Sequence, residues 1–288
     1  MKFLSKCYIF IIFAILYAPI FVVVLFSFNE SESLSNFSGF SLYWYQELFR
    51  DGDAFSALKN SLLLAVSSSA LATVIGTFAA LGIARARKKW TKQIMESVAN
   101  IPMMNPDIVT GVSMMLLFVG FVSLLGWLLR VLNLSQNFDG SYLFGFWTML
   151  IAHTTFNLPY VILSVLPKFR QMDKNLTEAA LDLGCTPLQT FFRVELPSIL
   201  PGVLSGLMMS FTLSLDDFVI SHFVSSPDFK TLPLYIYTQT AHEVKFSMYA
   251  LCALMIVVIA GLLLTVNLAG SIGERKQRKD AHAKGGSK

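Results

Sequence analysis

Six stretches of the chain are apolar over the roughly 20 residues that a helix needs to cross a bilayer core about 30 Å thick. They cover residues 7–28, 61–84, 98–125, 143–167, 198–224 and 248–272. The first could pass for a secretory signal, but its apolar run is too long for an h-region and no A-x-A cleavage site follows. It reads as a retained span. The pattern predicts an all-α membrane protein with six transmembrane helices. Between the fourth and fifth stretches the pattern changes character. Leu176, Ala179, Ala180 and Leu183 fall at i, i+3, i+4 and i+7, one face of a short helix. Asn175 and Glu178 suit its N-cap and capping-box positions, and Gly184 stands where a left-handed C-terminal cap is wanted. Thr186-Pro187-Leu188-Gln189 then reads as a second helix start, with Leu188, Phe191 and Phe192 as its apolar stripe and an end before Pro197. Two readings stand for this unit: an interfacial helix lying on lipid, or a docking knob for a soluble partner. The tight turn and the paired caps favour the knob.

Inside the second span, Ala72, Gly76, Ala80 and Ala84 recur every four residues, a small-residue stripe that lets another helix come close. The third span begins with Pro102 and Pro106, followed by Gly111. Such breaks occur at membrane depth where backbone lines a cavity or is buried in protein, and both readings remain open here.

Composition strengthens the membrane reading. Of 288 residues, 55% are hydrophobic and 14% charged, where soluble domains carry roughly a quarter charged. The net charge of +4 is too small to suggest nucleic-acid binding; its distribution says more. With the N-terminus in the cytoplasm, 17 basic residues fall inside and 5 outside. Positive residues stay inside, which predicts cytoplasmic termini, cytoplasmic loops at 85–92 and 168–197, and an external segment at 29–59. The basic tail 273–288 reads as a topology anchor rather than a nucleic-acid or lipid patch.

Catalytic chemistry is missing from the sequence. Cys7, Cys185 and Cys252 form no C-x-x-C pair, so neither a zinc site nor a disulfide framework is encoded. No G-x-x-x-x-G-K-[ST] occurs, so ATP, if used, binds to a partner. His242-Glu243 starts an HExxH-like string that ends on Phe246. His153, His222 and His282 have no ligand or nucleophile pattern around them. The expectation is a non-enzyme without metal or cofactor.

Carboxylates do occur inside the predicted spans: Asp107, Asp216 and Asp217, with no Lys or Arg in any span to neutralise them. Each costs on the order of 2.5–3.5 kcal/mol at mid-membrane on insertion scales, so such residues are rarely incidental. With a helix beginning at 98, Asp107 would lie roughly 14 Å along it, near the midplane, and the Asp216–Asp217 pair in the outer half. Adjacent residues point about 100° apart, so one of the pair would face a pathway. They suit transient counter-charges for a cationic solute, with Phe211, Phe218 or Trp147 as cation–π faces. Weak, spaced sites favour passage over capture. The competing reading is that they are protonated or cap broken helices.

Glu178-Ala179-Ala180, three residues, Gly184, nine residues and Val194-Glu195-Leu196-Pro197 resemble the EAA motif of bacterial ABC importer permeases, EAA-x3-G-x9-[IV]-x-L-P, without a mismatch. Trp44-Tyr45, Asn60-Ser61-Leu62, residues 105–109 and 214–219, and Thr231-Leu232-Pro233 are similar to the second permease subunit of spermidine/putrescine importers. The likeness runs from about residue 16 to 268, while the loop at 132–141 is longer than that family's. The resemblance implies a type I importer permease fold with a cytoplasmic coupling helix between helices four and five. It implies one transmembrane domain over 1–288, with its core at about 58–272. Glu178, Ala179, Ala180, Gly184, Leu196 and Pro197 would couple to the ATPase. The implied partners are a paralogous permease, two ATPase subunits that bind the ATP, and a periplasmic polyamine-binding protein, all at a bacterial inner membrane. ATP-driven closure of the ATPases would move the knob and rock the spans, as a rigid body transmits motion. Two alternatives are an ABC permease for an iron chelate, phosphonate or opine, and a stand-alone secondary transporter. The acidic spans suit a cation, and a stand-alone carrier has no use for the EAA knob.

Overall fold

The small-residue stripe of the second span decides how the central helices meet. The computed structural model describes residues 2–32, 36–133, 144–241, 245–261 and 264. Its helices are α1 (Lys2–Phe26), α2 (Tyr43–Arg50), α3 (Gly52–Arg85), α4 (Lys89–Met104), α5 (Asp107–Val131) and α6 (Phe146–Gln171). They continue with α7 (Lys174–Asp182), α8 (Pro187–Thr190), a π-turn (Phe191–Glu195), α9 (Leu196–Asp216), α10 (Val219–Val224), α11 (Leu232–Thr240) and α12 (Ser247–Gly261). Among the described residues the only β pairing is two isolated bridges, Asn29 with Phe40 and Ser226 with Phe229. The fold is all-α. Five described helices are long and apolar enough to cross a bilayer, and α12 is the described part of the sixth predicted span, whose remainder lies outside the described residues. So do most of the 132–141 loop, His242-Glu243 and the 273–288 tail.

The chain forms two compact units, Ala57–Leu234 and the segments Met1–Ser56 with Tyr235–Lys288. In the first, α6 is the most enclosed span and Val161 is its pivot. A β-carbon on Gly76 of α3 would stand 2.7 Å from Val161 Cγ1, and one on Gly206 of α9 would stand 3.2 Å from Val161 Cα. Glycine at both positions lets α3 and α9 close on α6. Ala72 and Ala80 are fully buried in the same seam, so the stripe packs as its spacing predicts.

The third predicted span is two helices. Asn105 and Pro106 are extended, at ψ 138° and 140°, and separate α4 from α5. The proline lacks an N–H and pushes the residue before it out of the helical region. The membrane helix therefore starts at Asp107 and not at 98. Similarly, the fifth predicted span stops at Asp216, Asp217 is extended at ψ 119°, and α10 begins after it.

In the second unit, the side chain of Asn29 organises the loop after α1. Its Oδ1 accepts from the Ser38 backbone at 2.9 Å, its Nδ2 donates to the Ser31 and Asn36 carbonyls at 3.1 Å, and its own carbonyl accepts from Trp44 Nε1 at 2.7 Å. The Tyr235 hydroxyl donates to Asp51 Oδ2 at 2.8 Å. Burial first, and then this bond and the Asp51 charge, push the Tyr235 phenol above its ordinary range. Along α1 the side chains from Lys6 to Val22 are exposed, an all-round apolar helix suited to lipid or another protein.

Candidate functional site

The knob between α6 and α9 forms as two capped helices, with the start of the first and the end of the second displaced. Asp173, not Asn175, is the N-cap of α7: its carboxylate accepts from the Asn175 backbone N–H at 3.0 Å. An acid at a helix start also favours the dipole. Gly184 has φ +84°. Its N–H donates to the Leu181 carbonyl at 2.9 Å and that of Cys185 to Ala180 at 3.1 Å, the paired bonds of a Schellman cap. Thr186 and Gln189 bond reciprocally, side chain to backbone, at 3.3 and 3.0 Å, with Pro187 at the first helical position.

The second helix does not end before Pro197. It passes through the π-turn, where the Leu196 N–H reaches back to the Phe191 carbonyl, directly into α9. Pro197 has no N–H to donate back into the π-turn, and it sits in the first turn of α9. The predicted four-residue face is also not a single buried stripe. Ala180 is buried, whereas Glu178, Ala179 and Leu176 are exposed and Leu183 is 86% exposed. Leu188 and Phe192 are exposed as well, while Leu196 is half-buried and Pro197 exposed. The exposed surface of the knob is therefore Glu178, Ala179, Leu183 and Leu188, with Ala180 buried beneath them.

The predicted solute-path carboxylates lie at the two helix breaks. Asp107 is exposed in the first turn of α5. One turn on, a β-carbon at Gly111 would stand 2.8 Å from Phe223 and 3.5 Å from the Val219 carbonyl, so α5 packs on α10 next to both breaks. Asp216 ends α9 and is exposed. Asp217 turns inward: its carboxylate accepts from the Ile220 and Ser221 backbone N–H groups at 3.2 and 2.8 Å and lies 3.5 Å from His153 Nε2. Of the pair, Asp217 is committed to backbone and histidine, and Asp216 is the accessible carboxylate. Phe211 is buried; Phe218 is half-buried beside His222, and Trp147 is exposed, its ring steeply inclined to that of Phe146.

Two groups escaped the sequence reading. His153 is fully buried, with Nδ1 2.8 Å from Ser214 Oγ and Nε2 3.3 Å from Ser221 Oγ, and Ser214 is 2.9 Å from Ser68. This polar knot joins α3, α6, α9 and α10. Glu195, also buried, is paired with Arg85. Their signals were an ionisable residue alone in an apolar run, Ile151-Ala152-His153, and one wedged between Val194 and Leu196. Among the described residues, no three His, Cys, Asp or Glu are grouped to hold a metal ion.

Long apolar helices, two of the spans interrupted, and a capped knob between two of them together define a multi-pass membrane protein. Residues 72–276 match the family model described as binding-protein-dependent transport system inner membrane component, and the chain belongs to that family. It is 36% identical over 244 residues to the putrescine transport system permease protein PotI of Escherichia coli K12, covering 85% of this chain and 82% of the relative. It is 35% identical over 266 residues to the spermidine/putrescine transport system permease protein PotC of Haemophilus influenzae, covering 92% and 96%. In fold it is similar to a chain of a bacterial ABC transporter involved in import of the acidic polysaccharide alginate, with a TM-score of 0.72 at 18% identity over 95% of both chains. A chain of the MetNI methionine ABC transporter follows at 0.58 and 16%, over 81% of this chain and 99% of that one. The fold is thus that of ABC importer permeases.

Proposed function

We propose that the chain is the polyamine-conducting permease subunit of an ATP-driven ABC importer, working in a bacterial inner membrane with both termini in the cytoplasm. The observation that carries this reading is the near-full-length similarity to putrescine and spermidine/putrescine permeases. Exposed carboxylates at both helix breaks, Asp107 and Asp216, support it. A linear polycation needs spaced negative charges that hold it briefly, and two acids at adjacent breaks supply them without a cage. A paralogous permease completes the pathway, a periplasmic polyamine-binding protein delivers the solute, and two ATPase subunits bind and hydrolyse ATP against the exposed face of α7 and α8. No cofactor is required in this chain. The whole of 1–288 acts as one transmembrane domain, with its core at about 58–272 and the basic 273–288 tail as a cytoplasmic anchor. Uptake of radiolabelled putrescine and spermidine, measured in a strain lacking its own polyamine uptake and expressing this chain with its partners, tests the proposal. Uptake that requires this chain supports it; uptake of neither amine, with the complex assembled, refutes the substrate.

A further inference from the structure

Glu195 puts a charge at the one position that the Val194-x-Leu196-Pro197 run leaves free. Its side chain is only 3% exposed. A buried carboxylate persists only where paired and hydrogen-bonded, and here the partners come from two other elements. Arg85, the last residue of α3, donates through Nη2 to both carboxylate oxygens at 2.8 and 2.9 Å. Thr177, in the second turn of α7, donates to Oε1 at 3.3 Å. Glu195 itself closes the π-turn that leads into α9. Beside it, Phe191 of the same turn packs against Phe78 of α3, with ring centroids 5.4 Å apart.

A π-turn is a local irregularity in the helical ladder, and such turns are found frequently at functional sites. Here it separates the knob from the span that must follow the knob. Left alone, α7 would be joined to the continuous helix of α8, the π-turn and α9 only through the Gly184 turn. The carboxylate bridges it: α7 is held through Thr177, α9 through Glu195's own backbone, and α3 through Arg85. The contact surface of the knob, Glu178 and Leu183, is exposed and makes no part of this bridge.

We propose that Arg85 and Glu195, assisted by Thr177, are positioning residues for coupling, locking the knob to α3 and α9 so that displacement of α7 and α8 turns both spans as one body. The proposal rests on the reading of the knob as the ATPase-docking element. The test uses the whole importer in proteoliposomes with its binding protein, reading uptake and ATP hydrolysis together. Glu195→Gln, Arg85→Met and the milder Thr177→Val should leave assembly and hydrolysis close to wild type while solute imported per ATP falls, by about tenfold for the charge variants. The exchanged pair Arg85→Glu with Glu195→Arg should recover much of the lost ratio. Uptake and hydrolysis falling in parallel in all three single variants would reduce the pair to a fold-stabilising contact and overturn the proposal, as would an unchanged ratio. A separate arm, Leu183→Asp, should abolish co-purification of the ATPase. If it does not, the docking reading fails whatever the pair does.

Discussion

Gly184 carries a conformation that other residues resist. At φ +84° an L side chain is strained, yet a β-carbon there would meet nothing within 4 Å. The obstacle inside this chain is therefore the backbone alone, about 1 kcal/mol for an ordinary residue and less for asparagine, which visits the left-handed region more readily. Gly184→Asn should keep uptake near wild type, while β-branched Gly184→Val should cut it several-fold at equal membrane insertion. Equal uptake by the two variants would show that the cap is not needed. Tyr235 offers a residue-scale test by pH. Its folded pKa is raised, so its contribution to stability is fully present below the unfolded value near 10 and is lost only as pH climbs through the higher folded value. Tyr235→Phe, which removes a bond worth about 1 kcal/mol, should lower the thermal midpoint of the detergent-solubilised complex equally at pH 6 and pH 8.5. A midpoint difference that vanishes by pH 8.5 would contradict the raised pKa.

At the scale of elements, the spans were legible because burial in lipid demands long apolar runs, and that demand is written residue by residue. The two breaks were not equally legible. Pro106 announces one, since it cannot donate to the helical ladder. The Leu215-Asp216-Asp217-Phe218 run contains no proline or glycine, and its break depends on Asp217 capping α10 and meeting His153, a partner 64 positions earlier in the chain. Tertiary pairing of that kind leaves no local pattern. The same holds for Arg85 and Glu195, and for the shift of the α7 cap from Asn175 to Asp173, where two good capping residues stood two apart and nothing local ranked them. The breaks also separate the roles of the acids. Asp107→Asn and Asp216→Asn should depress polyamine uptake strongly with the complex intact. His153→Leu, which takes one partner each from Ser214, Ser221 and Asp217, should instead lower thermal stability, by about 1–3 kcal/mol for each buried group left unpaired. Should His153→Leu prove as stable as wild type, the buried knot would not be holding the break; normal uptake in both Asp variants would take the carboxylates out of the pathway.

For the whole molecule the decisive quantity is which side of the membrane each loop occupies. Seventeen basic residues against five favour a cytoplasmic knob, and an importer of this design works only if that is true, since the ATPase is a cytoplasmic machine. Lys and Arg bias orientation most strongly in short loops near span ends, where 85–92 and 168–193 both fall. The structure supplies reporters for the test. Leu183 at the tip of the knob is 86% exposed, and Phe37, in the loop organised by Asn29, is 49% exposed. In a variant lacking Cys7, Cys185 and Cys252, a single Phe37→Cys should react with an impermeant maleimide in intact cells or spheroplasts. Leu183→Cys should react only after the membrane is opened. Both side chains are accessible in the fold, so a failure to react from one side reports the membrane and not burial. The ATPase adds a second check: in opened membranes it should protect Leu183→Cys and leave Phe37→Cys unaffected. Labelling of Leu183→Cys from outside would invert the topology, and with it the coupling role assigned to α7, α8 and the Arg85–Glu195 pair.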